Sequence, residues 1–167
     1  MMFRILPILP GCLLALLVLS APIPVRAEPQ SQRLMRSVGE TVYVPAYSRI
    51  QTYPNRSELL ASTLAIHNVD PDTGITVVSV GYYDEAGKEL RELTETPIEL
   101  PPFASKAFLI PINDVSGGIG ANFIVSWSST SPALSPIVEA IMSGAAGGPG
   151  SSFTSRGEVI DRRFPPD

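Results

Sequence analysis

From Val38 onward, apolar and polar residues alternate with a period of two in short runs, and clusters of Gly, Pro, Asn and Asp separate the runs. That texture predicts half-buried strands rather than helices, because successive side chains of a strand face opposite sides of its sheet. In residues 40–50, Val42, Val44 and Ala46 share one face, and Tyr43, Pro45 and Tyr47 share the other. Pro45 has no N–H to give a ladder, so this run is expected at a sheet edge. Residues 59–68 place Leu60, Leu64 and Ile66 on a core face and Ala61, Thr63, Ala65 and His67 on the opposite one. A turn is expected at 70–74, where Pro71 presets the backbone angle and Gly74 supplies freedom to leave it. Residues 75–83, a turn at 84–87 and residues 88–93 read as a hairpin. Residues 97–102 read as a proline-bounded connection, 103–112 as a strand and 117–120 as a flexible loop. In 122–128, Phe123, Val125 and Trp127 share one face. Runs at 137–142 and 153–160 complete the set.

Seven to nine strands at this spacing predict an all-β fold, a single immunoglobulin-like antiparallel β-sandwich. No segment of useful length carries a helical period, and only IVEAIM at 137–142 leaves strand and helix hard to separate. No cysteines flank Trp127, which excludes a true antibody-type domain.

The first 27 residues have a different texture. Arg4 precedes an apolar run over 5–19, Pro22 and Pro24 break it, and Val25-Arg26-Ala27 offers small or modest residues where a signal peptidase reads. This three-part layout is that of a cleavable secretory signal peptide. A retained membrane anchor fits less well, since a spanning helix needs about 20 apolar residues without such breaks. Lipidation at Cys12 also fits less well, because the strongest apolar run, 13–19, follows the cysteine instead of preceding it. The domain reading is therefore a signal peptide at 1–27, a polar leader at 28–38, a β-sandwich at 39–160 and a C-terminal tail at 161–167. The expected address is periplasmic or secreted, the alternative being an N-terminally anchored protein or lipoprotein.

Cleavage changes the chemistry. The whole chain carries a net charge of −4, and loss of Arg4 and Arg26 takes it to −6. That acidity argues against nucleic acid and anionic lipid surfaces, which select basic patches. The single cysteine, Cys12, leaves as well, so the mature domain has no disulfide or thiol chemistry and must hold itself by its core. The remaining 140 residues suffice for one such core. No stable membrane span is expected after cleavage.

Four stretches occur in a telling order: GETVYVPAYSRI, LAIHNVDPDTGITVVSVGYYDEAGKEL, SGGIGANFIVSWSS and EAIMSGAAGGPGSSFTSRGEVI. Together they resemble a family of short bacterial secreted or envelope proteins of unknown function, DUF3124-like. The resemblance covers most of residues 39–160, and GANFIV and SFTSRG are its most specific strings. It implies a single domain and an envelope location. It brings no activity and no functional residues.

Candidate chemistry is sparse. His67 is the only histidine, and a base needs a nucleophile and an orienting partner that the sequence does not supply nearby. A transition-metal site usually needs several His or Cys ligands, so no metal is expected. Asp70, Asp72, Asp84 and Glu85 match no EF-hand spacing and read as turn acids. Residues 116–122 (SGGIGAN) suggest a phosphate cradle without the Lys-Ser/Thr of a P-loop, and read as a turn in which Asn122 tolerates an unusual backbone angle. Asn55-Arg56-Ser57 fits a glycosylation sequon, relevant only in a host that glycosylates such sites.

The glycine-rich segment 143–157 is the richest candidate. Ser151, Ser152, Thr154 and Ser155 offer hydroxyls, Arg156 offers a donor fork suited to a carboxylate or phosphate, and Phe153 would pack inward as an anchor. The alternative is structural: a tight crossing, with Arg156 paired to Glu158 or Asp161. The expected ligand-binding set is Arg156, Ser151, Ser152, Thr154, Ser155 and Asn122, with no catalytic residue and no cofactor. These features favour a non-catalytic envelope module that binds a protein, a polymer or a small anionic ligand. An assembly role by strand-edge pairing near Pro45 or at 153–160 stands second. A serine hydrolase stands third, because neither a base–orienter pair nor a nucleophile elbow is readable. N-terminal sequencing of the exported protein is expected to begin at or near Glu28, and any distant first residue would overturn the processing site.

Overall fold

In a computed structural model, residues 34–144 and 150–166 are described. The signal-peptide reading at 1–27 and most of the polar leader lie outside them, as do residues 145–149 of the glycine-rich segment. The described residues are all-β, with eleven strands and no helix. One antiparallel sheet contains β1 (Arg36–Pro45), β8 (Asn122–Leu134), β4 (Ile75–Tyr83), β5 (Glu89–Glu92), β6 (Ile98–Leu100) and β11 (Glu158–Arg163). Its order is β11-β1-β8-β4-β5, with β6 also on β4. The second contains β2 (Arg49–Tyr53), β3 (Arg56–His67), β7 (Ser105–Ile110), β9 (Ile137–Gly144) and β10 (Ser152–Arg156). Its order is β10-β9-β3-β2, with β7 also on β3.

The inward faces of both sheets form one core. Val42, Val44, Phe123, Val125, Trp127, Val77, Val80 and Tyr82 from the first sheet join Leu60, Leu64, Ile66, Val138, Ala140 and Met142 from the second, all at most 3% exposed. These are the faces that the period-two pattern predicts for β1, β3 and β8. Buried aromatics at the centre, Trp127, Tyr82 and Phe123, supply the largest apolar surfaces.

Five local expectations are corrected. β1 is interior, with β8 on one side and β11 on the other, so it is not an edge strand. Pro45 is tolerated because of where it falls. The Ala46 N–H points to Ala121 of the β8 side, so the proline nitrogen faces the β11 side. There the β11 ladder has already ended, at Tyr43 opposite Glu158. β1 also starts at Arg36, inside the segment read as leader, because Arg36 and Ser37 pair with Leu134 and Ala133. The 97–102 connection contains β6, paired through Ile75, Thr76 and Val77. The strand expected from residue 103 starts at Ser105, because Phe103 takes a φ of 60° in a turn closed by the Ala104 N–H on the Pro101 carbonyl.

The fifth correction concerns the C-terminal run. Residues 153–160 are not one strand: β10 belongs to the second sheet and β11 to the first. The chain changes sheet at Gly157, whose N–H donates to the Val138 carbonyl at 2.8 Å. A Cβ there would stand 2.6 Å from Val42 Cγ1 and 3.0 Å from the Val138 carbonyl oxygen, so only glycine fits the crossing. Ser155 turns inward just before it and donates its hydroxyl to the Pro45 carbonyl, which the interrupted ladder leaves open.

Two buried carboxylates tie the sheets' connections together. Asp70 is fully buried and accepts from Arg36 (2.6 Å) and from the N–H groups of Leu134, Thr73 and Asp72 (2.8, 2.9 and 3.0 Å). Burial alone would raise its pKa. The three backbone donors and the Arg36 charge outweigh burial and hold the carboxyl below its ordinary 3.8. Glu40, 1% exposed, accepts from Arg162 Nε (2.6 Å), Ser135 (2.7 Å) and Trp127 Nε1 (3.3 Å).

Gly157→Ala is expected to cost about 2–3 kcal/mol through overpacking, read as a lower urea midpoint. An unchanged midpoint would show that the crossing has slack. Asp70 has a depressed folded pKa, so its stabilisation is complete at neutral pH. That contribution falls as the pH drops toward 3.8 and is lost as the pH passes through the lowered folded value. Asp70→Asn should therefore lower stability at pH 7 and flatten the acid limb of the stability profile. A parallel acid limb in variant and parent would assign acid unfolding to other carboxylates.

Candidate functional site

Strand alternation sorts the C-terminal candidates by face. On β10, Ser152, Thr154 and Arg156 point out of the second sheet, while Phe153 and Ser155 point in. Phe153 packs at 5.7 Å between ring centroids from Tyr47, and Ser155 is occupied with the Pro45 carbonyl. Ser151 precedes the strand, is exposed, and gives its carbonyl to the Gly144 N–H. Asn122 lies in the other sheet, on β8 between Pro45 and Tyr83. The structure therefore brings together three of the six residues on one surface and sends the others elsewhere.

The register of the second sheet extends that surface across four strands. Arg156 stands opposite Glu139 on β9, Glu139 opposite Ala65 on β3, and Ala65 opposite Ala107 on β7. The row beside it holds Ile137, His67 and Ser105, and the row on the other side holds Thr154, Ile141, Thr63 and Leu109. Ala61, Ala65 and Ala107 make a low floor, so the longer side chains stand above it. Leu109 and Ile141 are 61% and 38% exposed on this face.

His67 sits at the polar end. Its Nδ1 is 2.7 Å from the Ser105 hydroxyl, and its Nε2 is 4.0 Å from Glu139 Oε1. A serine thus lies within hydrogen-bond reach, and an acid stands just beyond it. Sequence reading missed both partners, because strand pairing across β3, β7 and β9 joins positions 38 and 72 residues away from His67. Arg156 lies two strands from His67, roughly 12 Å by sheet geometry, on the far side of Glu139. It forms no ion pair among the described residues; Glu158 and Asp161 do not engage it.

The other candidates have internal partners. In the 116–122 loop, Gly118 adopts a φ of 73° and packs on the Glu85 carboxylate, whose Oε2 accepts the Ile119 N–H at 3.1 Å. The anion cradled by these glycines is the chain's own Glu85. Gly117 packs against the buried Tyr82 hydroxyl, which also pairs with Ser48 at 3.1 Å. Burial raises the Tyr82 pKa. Asp114, next to this loop, accepts from Arg91 and from Ser116; these bonds outweigh burial and lower its pKa. Asp84 caps its own turn, accepting from the Ala86 and Lys88 N–H groups, each at 2.9 Å. Among the described residues, no three His, Cys, Asp or Glu side chains converge as a metal set.

Comparison with known proteins sets this geometry in context. No curated protein matches the sequence. The crystal structure of Thermotoga maritima 1070 is similar at 11% identity, covering 74% of this chain and 96% of that one with a TM-score of 0.41, a likeness too distant to bear on function. The model of a family described as "Protein of unknown function (DUF3124)" matches residues 39–160, from the start of the β1–β8 ladder's regular register into β11. That span is most of the chain, and the protein belongs to the DUF3124 family.

Proposed function

We propose that this chain is an exported envelope protein whose domain, an immunoglobulin-like sandwich, is a non-catalytic binding module. Its partner docks on the outward face of the second sheet, with Arg156 as the charged anchor. One observation carries this reading. Alternation on β10 turns Arg156 out beside Thr154 and Ser152, in register with Glu139, and leaves it without an ion pair among the described residues. A guanidinium so placed offers a planar fork to a carboxylate or phosphate. The alanine floor lets a partner approach the sheet, and the exposed Leu109 and Ile141 add apolar contact. An envelope protein, polymer or small anionic ligand satisfies this chemistry without a cofactor. The layout of residues 1–27 supports the envelope part of this reading.

A second reading is favoured by a separate observation. β11 is an outer strand with Val159 and Ile160 at 39% and 59% exposure, and Phe164 beyond it is 59% exposed, as an edge-pairing protein requires. Asp161, Arg162, Arg163 and the irregular register between Thr41 and Val42 oppose it, since charges and bulges are common protections of a sheet edge. The Ser105–His67 contact supports hydrolysis less well. It lies on an open face, where water weakens the electrostatic stabilisation an acyl transfer needs.

A photo-crosslinking residue at Thr154 is expected to give a discrete adduct in intact envelopes, reduced several-fold by Arg156→Ala. Adducts formed only from Ile160 would instead favour edge pairing. Fluorophosphonate labelling of Ser105 that disappears in His67→Ala would favour the hydrolase. Equal adducts with and without Arg156 would sink the proposed anchor.

A further inference from the structure

β11 leaves an open edge on the first sheet, independent of the second-sheet face around Arg156. It pairs with β1 on one side, and among the described residues no strand follows it on the other. Its sequence, Glu158-Val159-Ile160-Asp161-Arg162-Arg163, starts with an acid and ends with two bases. Glu158 and Arg163 are exposed and form no ion pair among the described residues; Arg163 donates to the Trp127 carbonyl. Between these charges lie the exposed Val159 and Ile160.

The ladder with β1 fixes the face of each residue. Glu40 and Val42 are buried on the inward face of β1, so their partners Arg162 and Val159 take the inward side. Gly39, Thr41 and Tyr43 alternate with them, so Arg163, Asp161 and Glu158 take the outward side. The Arg163 guanidinium accordingly lies where a Cβ of Gly39 would stand. Ile160 is the extra residue of the irregular step, because Asp161 pairs with Thr41 and Val159 with Val42. Residues 158 and 163 are separated by an odd number of positions, which would put them on opposite faces of a regular strand. The extra residue brings them to the same face.

We propose that the β11 edge pairs with β11 of a second copy of this chain, antiparallel about a twofold axis perpendicular to the sheet. Such an axis sets outward residues opposite outward ones, and each contact occurs twice. Full overlap of the strand puts Glu158 opposite Arg163 of the second copy, Val159 opposite Arg162 and Ile160 opposite Asp161. The faces agree in this register only because both strands carry the extra residue. Opposite charges then meet at both ends, and the Ile160 residues, each 59% exposed, flank the axis. Charges and a bulge guard an edge against strands in general. A second copy brings the complementary charges and the same bulge. Pro165 and Pro166 follow the strand and cannot extend a ladder, so pairing ends in a closed dimer.

The test is sedimentation velocity of protein purified from an expressing bacterium, over micromolar to millimolar concentrations. A reversible monomer–dimer equilibrium is expected. Glu158→Arg and Arg163→Glu each set like charges at both ends, and each should raise the dimer dissociation constant about tenfold. A one-to-one mixture of the two variants restores opposite charges at both ends and should return the constant to near the parental value. A folding defect cannot produce that recovery. Asp161→Asn removes two like charges beside the axis and should tighten the dimer. Arg156→Ala should leave the constant unchanged, which separates this edge from the second-sheet face. A monomer throughout the range, a dimer indifferent to both charge reversals, a mixture no tighter than the separate variants, or weakening by Asp161→Asn would overturn the proposal.

Discussion

The Glu40 carboxylate holds this fold in register. It lies at 1% exposure on the inward face of β1, where a carboxylate would be costly without partners. Its partners come from three other places in the chain: Trp127 on β8, Ser135 in the turn before β9, and Arg162 on β11. The β1–β8 register shifts between Ser37 and Gly39, and the β1–β11 register shifts between Thr41 and Val42, so Glu40 sits between two irregularities. A slip of one residue on either side would turn the carboxylate away from its donors and bury them unpaired. The contribution of such a group is more to uniqueness than to net stability, since an apolar substitute of equal volume is often as stable.

The connections repeat the same device at both ends of the strands. Asp70 gathers Arg36, the 70–73 turn and the end of β8 around one buried carboxylate. Glu85 does the corresponding work for the glycine loop before β8, where its side chain occupies the position an external anion would need. Backbone donors that a ligand would otherwise satisfy are therefore closed by the chain itself. Arg156, on the outward face of the second sheet, is among the cationic groups left without an ion pair among the described residues.

Much of the site was legible only as an inventory. Ser151, Ser152, Thr154, Ser155 and Arg156 stand in one short segment, yet alternation divides them between solvent, core and a loop. Phe153 was readable as an inward anchor, and that fixes the parity of its neighbours. The destination of Ser155 was not readable, because it depends on a ladder gap beside Pro45 that two other strands create. His67 was visible as a lone histidine, and its companions Ser105 and Glu139 emerged only with the pairing of β3 to β7 and β9. A signal for Glu40 did exist. It shares parity with Val42 and Val44, and a carboxylate on an apolar face predicts a buried partner.

The sequence by itself determined the all-β class, the inward faces of β1, β3 and β8, the turn positions and the family. These follow from side-chain periodicity and from backbone preferences that act over a few residues. Only the tertiary structure decided that β1 is interior, that the C-terminal run changes sheets at Gly157, and that Arg156 shares a face with His67. Those outcomes depend on which strands lie side by side. That is set by hydrogen bonds and packing between residues far apart in the chain, 122 positions in the Arg162–Glu40 pair, and period-two alternation is blind to such distances.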